Sequence, residues 1–149
     1  MTDTADETIR STIDASPLFK HLSEEWRSRL VSGSELRTFR GGEAVISEDQ
    51  TDEHPLYLIV DGQARVWTEN DDRAVELKTL YPGASFGEVS LVSDQEPTAT
   101  VEAKSDELTV LALDHQELVD LLEEDEKVRR LLEGVTLARA KDTLGKVSD

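Results

Sequence analysis

Apolar residues recur at helical spacing from Leu18 and Phe19 through Leu22, Trp26 and Leu30, and Ser16-Pro17 supplies the cap-then-proline signal that opens a helix. Ser23 followed by Glu24 and Glu25 marks a second start. One or two short helices are therefore expected up to Val31. Upstream, residues 1–16 are acidic and Thr-rich and are expected to fray as a flexible N-terminus. After Ser32-Gly33 the period shortens. The segments Glu35–Arg40, Ala44–Ser47, Leu56–Val60 and Gln63–Thr68 are rich in Val, Ile, Leu, Tyr and Trp and are bounded by Gly41-Gly42, the polar stretch Glu48–His54 and Asp61-Gly62, which predicts strands. Asn70-Asp71-Asp72 predicts a hairpin turn into Ala74–Leu80, and Tyr81-Pro82-Gly83 predicts another turn. Two more strands are expected at Thr98–Glu102 and Leu108–Leu113. Seven or so short strands at regular spacing suggest a closed or double-sheet β fold.

The pattern turns helical again at the end. Asp114 caps a helix over His115–Leu122 with Leu118, Leu121 and Leu122 on its buried face. The acidic run Glu123–Glu126 bends the chain before a longer helix from about Glu126 to Lys146. Its stripe, Val128, Leu131, Leu132, Val135 and Ala138, suits packing either on the barrel or on a second copy of the chain. With no repeat or linker visible, residues 17–149 are expected to form one domain.

Composition narrows the function classes. The 149 residues carry 33 acidic against 16 basic side chains, a formal net charge of -17. Nucleic-acid binding rests on Lys and Arg replacing counterions along the phosphates, so neither a nucleic acid nor an anionic membrane is an expected partner. The chain has no cysteine, which excludes disulfides, thiolate catalysis and thiolate metal sites. The opening MTDTADETIR lacks the basic flank and apolar run of a signal peptide, and no segment has the length of apolar residues that a membrane span needs. A soluble, cytoplasmic protein is expected. His21, His54 and His115 have no metal-ligand spacing, no serine-nucleophile motif or P-loop occurs, and Asp71-Asp72 sits in a turn. No catalytic or metal site is expected, and the protein is read as a non-enzyme that requires no cofactor.

The ordered motifs RGGEAVI, LYLIVDGQARVW, LYPGASFGEVSLV and TATVEA, set between N-terminal helices and a capped helical pair, resemble the cyclic-nucleotide-binding domain family over roughly Pro17 to Leu144. Gly42, the Tyr57–Gly62 turn region, Pro82-Gly83 and Phe86-Gly87-Glu88 fall in that family's order. The resemblance implies a mainly β fold with flanking helices: an eight-stranded β-jelly-roll barrel with N-terminal helices and a C-terminal helix pair. It also implies a ligand inside the barrel against a phosphate-binding cassette, which aligns with Phe86 to Val101. By resemblance, Gly87 allows close backbone approach, Glu88 accepts a hydrogen bond from the ribose 2′-hydroxyl, and N–H groups over Glu88, Val89 and Ser90 face the sugar-phosphate. A helix start suits an anion through its free N–H groups and dipole. Thr98 and Ala99 match the positions that donate to the cyclic phosphate. The candidate ligand-binding set is Phe86, Gly87, Glu88, Val89, Ser90, Thr98 and Ala99.

One position departs from the family. Where its cassette carries an arginine that pairs with the phosphate, this chain has Pro97. A charge-assisted arginine–phosphate contact contributes about 1.5 to 3 kcal/mol, so its loss lowers affinity by at least about one to two decades. Proline also lacks an N–H. Arg65, between the core-facing Ala64 and Val66, is expected to point outward, Arg73 and Lys78 flank a hairpin, and His54 lies in an acidic loop; none replaces the arginine. The sequence thus points to a stand-alone regulatory or sensor protein in signal transduction that binds a cyclic nucleotide, cAMP or cGMP, weakly or with altered preference. The alternative is a degenerate domain that binds no nucleotide and serves as a protein-interaction or dimerisation module, through a protein partner or a homodimer on the C-terminal helix. A transcription factor of this family would continue into a helix-turn-helix domain, whereas this chain stops at Asp149.

Overall fold

Ile9 and Ile13 stand four residues apart in an acidic segment, and both are buried on one face of helix α1 (Thr4–Ala15). The segment Thr4–Ala15 is therefore helical rather than frayed: Asp6 and Glu7 lie in the first turn, where the helix dipole favours them, and the two isoleucines pack with Leu18, Phe19 and Leu30. Ser16-Pro17 does not start a helix. The chain makes a turn there, with Phe19 and Lys20 N–H both donating to the Ser16 carbonyl. The second expected start is real. Ser23 caps α2 (Glu24–Ser32), its Oγ accepting from Trp26 N–H at 3.3 Å.

The structure, a computed structural model, describes residues 4–47, 55–87 and 99–134. Its strands are β1 (Ser34–Arg40), β2 (Ala44–Ile46), β3 (Leu56–Asp61), β4 (Ala64–Asn70), β5 (Arg73–Leu80), β6 (Ser85–Phe86), β7 (Thr100–Ala103) and β8 (Glu107–Leu113). They form two four-stranded antiparallel sheets in the orders β1-β8-β3-β6 and β2-β7-β4-β5. This is the expected jelly-roll-like arrangement, as two facing sheets rather than a closed cylinder. β6 has two residues, too few for alternation to be visible in the sequence.

Between the sheets lies one apolar cluster, with Tyr57, Ile59, Phe86, Leu108, Val110 and Ala112 from the first sheet meeting Ile46, Ala64, Leu80, Val101 and Ala103 from the second. Leu56, Leu58, Leu111 and Leu113 point the other way, into a second cluster with the helices. β3 and β8 are thus covered on both faces, which is why LYLIV and LTVLAL read as near-continuous apolar runs. The outer face of the second sheet meets solvent and carries the ion pairs of Arg65 with Glu102 and Glu76 and of Lys104 with Glu76.

Turns follow their residues. Asp71 and Asp72 have φ of 53° and 62°, the left-handed pair that a two-residue hairpin needs, and Asp tolerates it better than most side chains. Gly62, at φ 91°, carries the chain from β3 to β4 so close to β8 that a Cβ there would lie 2.4 Å from the Glu107 carbonyl oxygen.

Helix α3 (His115–Glu124) is capped by Asp114, which accepts from Glu117 N–H at 3.1 Å. Asp125 ends it and begins the next: its N–H donates to the Leu121 carbonyl and its Oδ1 accepts from Val128 N–H at 3.1 Å. The following helix, α4, covers 126–134 among the described residues. Val128 and Leu132 are buried with the α1 and α3 side chains, whereas Leu131 is 41% exposed. Val135, Ala138 and the helix expected up to Lys146 lie outside the described residues. Trp26 Nε1–H donates to Glu124 at 2.9 Å, while Arg29 lies 3.9 Å over the Trp26 ring and pairs with Glu117 and Asp120, so α2 is fastened to α3.

Candidate functional site

The β1–β2, β3–β4 and β7–β8 turns meet at one end of the sandwich, where Gly41 N–H donates to the Asp106 carbonyl and Lys104 N–H to that of Gln63. At the opposite end β1, β3 and β7 begin and β6 and β8 finish. The candidate cassette therefore departs from β6, and the chain returns into β7, at the same end as the first turn of β1.

A row of residues in register crosses the inner face of the first sheet there: Glu35, Ala112, Tyr57 and Phe86. Ala112 is the small member, and it lines, with Gly33, Glu35, Arg37, Pro55, Asp114 and His115 among others, an open groove of about 490 Å³ at this edge of the sheet, which Tyr57 and Phe86 do not line. That size falls within the range of small-molecule sites. Arg37 is one inward position further along β1, opposite Val110. Its Nε–H donates to Glu35 Oε1 at 2.6 Å, with Nη2 also 2.6 Å from that oxygen, and its Nη1–H donates to the Tyr57 phenol oxygen at 3.4 Å. Burial pushes the Tyr57 phenol above its ordinary pKa, against the opposing pull of the Arg37 charge and hydrogen bond, so it stays a neutral hydroxyl. The Tyr57 ring stacks on Phe86 with centroids 5.1 Å apart and planes at 19°.

Of the sequence-predicted ligand residues, Phe86 is buried in the core against Tyr57, Gly87 leaves β6 at φ 93°, and Ala99 is half-buried just before β7. Glu88, Val89, Ser90 and Thr98 lie outside the described residues, as do Pro97 and His54. The left-handed φ explains why glycine occupies position 87, where a side chain would strain the exit from the strand. Arg65 faces outward as expected, with Glu102 at 3.4 Å and Glu76 at 3.8 Å, and Arg73 and Lys78 are exposed. Sequence reasoning did not single out Arg37, Glu35 or Tyr57. The usable signal was the alternation in ELRTFR, where Glu35, Arg37 and Phe39 share a face and Phe39 packs between the sheets. Among the described residues no three His, Asp or Glu side chains converge to hold a metal ion.

Comparison with known proteins agrees with this fold. The family profile "Cyclic nucleotide-binding domain" matches residues 36–125, more than half of the chain. Human cGMP-dependent protein kinase 2 is 26% identical over 131 residues, covering 87% of this chain and 17% of the kinase. The cAMP-dependent protein kinase regulatory subunit of Mycosarcoma maydis is 31% identical over 132 residues, 87% of this chain and 24% of that protein. The chain thus spans a quarter or less of the length of these relatives. Among solved structures, the regulatory subunit of a cAMP-independent protein kinase A from Trypanosoma cruzi, bound to guanosine, superposes with a TM-score of 0.67 at 23% identity, covering 78% of this chain and 40% of that one.

Proposed function

Since the chain belongs to the cyclic nucleotide-binding domain family, we propose that it is a regulatory sensor domain in signal transduction whose ligand is a cyclic nucleotide held weakly, or a related molecule of lower charge. The feature that supports this reading is Pro97, which by resemblance falls at the cassette position where the family carries its phosphate-pairing arginine. In this reading Gly87 and the N–H groups over Glu88, Val89 and Ser90 face the sugar-phosphate, Glu88 accepts from the ribose, and Thr98 and Ala99 hold what they can of the phosphate. A neighbour of the same fold is bound to guanosine, a nucleoside without a phosphate, which supports a ligand of lower charge. Relatives named for cAMP and for cGMP support either base. The domain acts by binding rather than catalysis, and it works in the cytoplasm, with which a cysteine-free chain is compatible. No helix among the described residues is long and apolar enough to cross a membrane.

Calorimetric titration with cAMP and cGMP tests the reading. Pro97→Arg is expected to tighten binding by about ten- to a hundredfold, the equivalent of one recovered charge-assisted contact. No gain would mean that position 97 is not where the phosphate lies. The second reading, an interaction or dimerisation module that binds no nucleotide, is favoured by Leu131, exposed on the same helix as the buried Val128 and Leu132. Sedimentation that shows a dimer abolished by Leu131→Glu, together with no heat from either nucleotide, would select it.

A further inference from the structure

We propose that Arg37 is the anion-binding cation of the groove at the cassette end, and that Glu35 is a resident counter-anion which the ligand's phosphate displaces. The inference rests on the reading of this end of the sandwich as a nucleotide site. Its starting point is a charge that register places on the inner face of β1, opposite Val110, with its side chain 40% exposed. β1 is an edge strand, and a charge on such a strand discourages pairing with another chain. That accounts for a charge on β1 but not for its placement, on an open groove that Ala112, Asp114 and His115 also line and within hydrogen-bond distance of the phenol of the buried Tyr57.

The guanidinium presents a fixed fork of donors, suited to two oxygens of one phosphate. Here a single carboxylate oxygen of Glu35 takes Nε–H and Nη2–H, so the fork already holds an anion. The Glu35 side chain is 63% exposed and can turn into water, and exposed ion pairs of this kind contribute little to stability. A phosphate entering from the groove exchanges one anion for another on the same donors, and the Tyr57 hydroxyl, whose oxygen already accepts from Arg37, has its own O–H to donate. From Tyr57 the stack continues to Phe86 and so to Gly87, where the cassette leaves β6.

Titration of the full chain with cAMP, adenosine and inorganic phosphate, followed by the Arg37 Nε–H resonance and by calorimetry, tests this. cAMP and phosphate are expected to shift the resonance and adenosine to leave it in place. Arg37→Gln is expected to weaken cAMP tenfold or more while leaving adenosine unchanged, Arg37→Lys to retain part of the affinity, and Glu35→Gln to strengthen cAMP several-fold. Cooperative thermal unfolding of each variant shows that it is folded. An Arg37→Gln protein that binds cAMP as the parent does, or that loses cAMP and adenosine alike, overturns the proposal and leaves the nucleotide reading standing. Phosphate shifting Arg37 with no cAMP binding sinks the nucleotide reading and keeps the anion subsite. Neither ligand shifting Arg37 overturns the subsite.

Discussion

Arg37 and Glu35 sit two residues apart on a strand whose two faces are both only partly covered, and this hides them. Leu36 leans towards the helices while Phe39 packs between the sheets, so β1 shows no single apolar face from which to read where its charged residues point. The residues legible in the sequence were those under a backbone constraint. Gly62 and Gly87 occupy left-handed positions, and Asp71-Asp72 form the tight hairpin. Gly62 is the sharpest case because both conformation and space forbid a side chain: an added Cβ would lie 2.4 Å from Glu107 O and 2.8 Å from Ser105 Oγ. Gly62→Ala is expected to destabilise the fold by about 2 to 4 kcal/mol in urea denaturation, more than left-handed strain alone supplies. A loss below about 1 kcal/mol would mean that the β3–β4 turn rearranges freely.

At the scale of elements, the strands and capped helices were legible because their signals are local: alternation, the Ser23 and Asp114 caps, and the turn residues. Helix α1 was not. Its first turn is acidic and only Ile9 and Ile13 are buried, so the segment has the composition of a frayed end, and the cover that makes it a helix comes from Leu18, Phe19 and Leu30 downstream together with the C-terminal helices, far away in sequence. Ion pairs of Arg10 with Glu24 at 3.0 Å and Arg27 with Asp14 at 2.9 Å add little, being half-exposed. The helix therefore stands on its isoleucines. Ile13→Ala is expected to lower the unfolding free energy by about 2 to 5 kcal/mol, read as a shift in urea midpoint, whereas a frayed terminus would register almost nothing. The cassette is a different case. Its sequence named the position of Pro97 without contacts, and Glu88, Val89, Ser90 and Thr98 rest on motif order alone.

Over the whole molecule, 33 acidic against 16 basic residues make self-repulsion the dominant long-range term. Salt screens it within about 10 Å at 0.1 M, and the exposed ion pairs it also weakens contribute less. Raising sodium chloride from about 0.05 to 0.5 M is expected to raise the melting temperature by several degrees, about 2 to 4 °C for each kcal/mol recovered in a domain of this size. A melting temperature that falls with salt would show that the ion pairs outweigh the repulsion. The same molecule is built around two strands, β3 and β8, whose alternate side chains enter different clusters. Tyr57 faces the second sheet, and its chain neighbours Leu56 and Leu58 face the helices. Whatever displaces that strand works on both clusters at once, and the coupling runs both ways with equal free energy. Under the sensor reading, a protein that gripped α4 would change the affinity for a ligand that moves β3 by the same factor as that ligand changed the protein's grip.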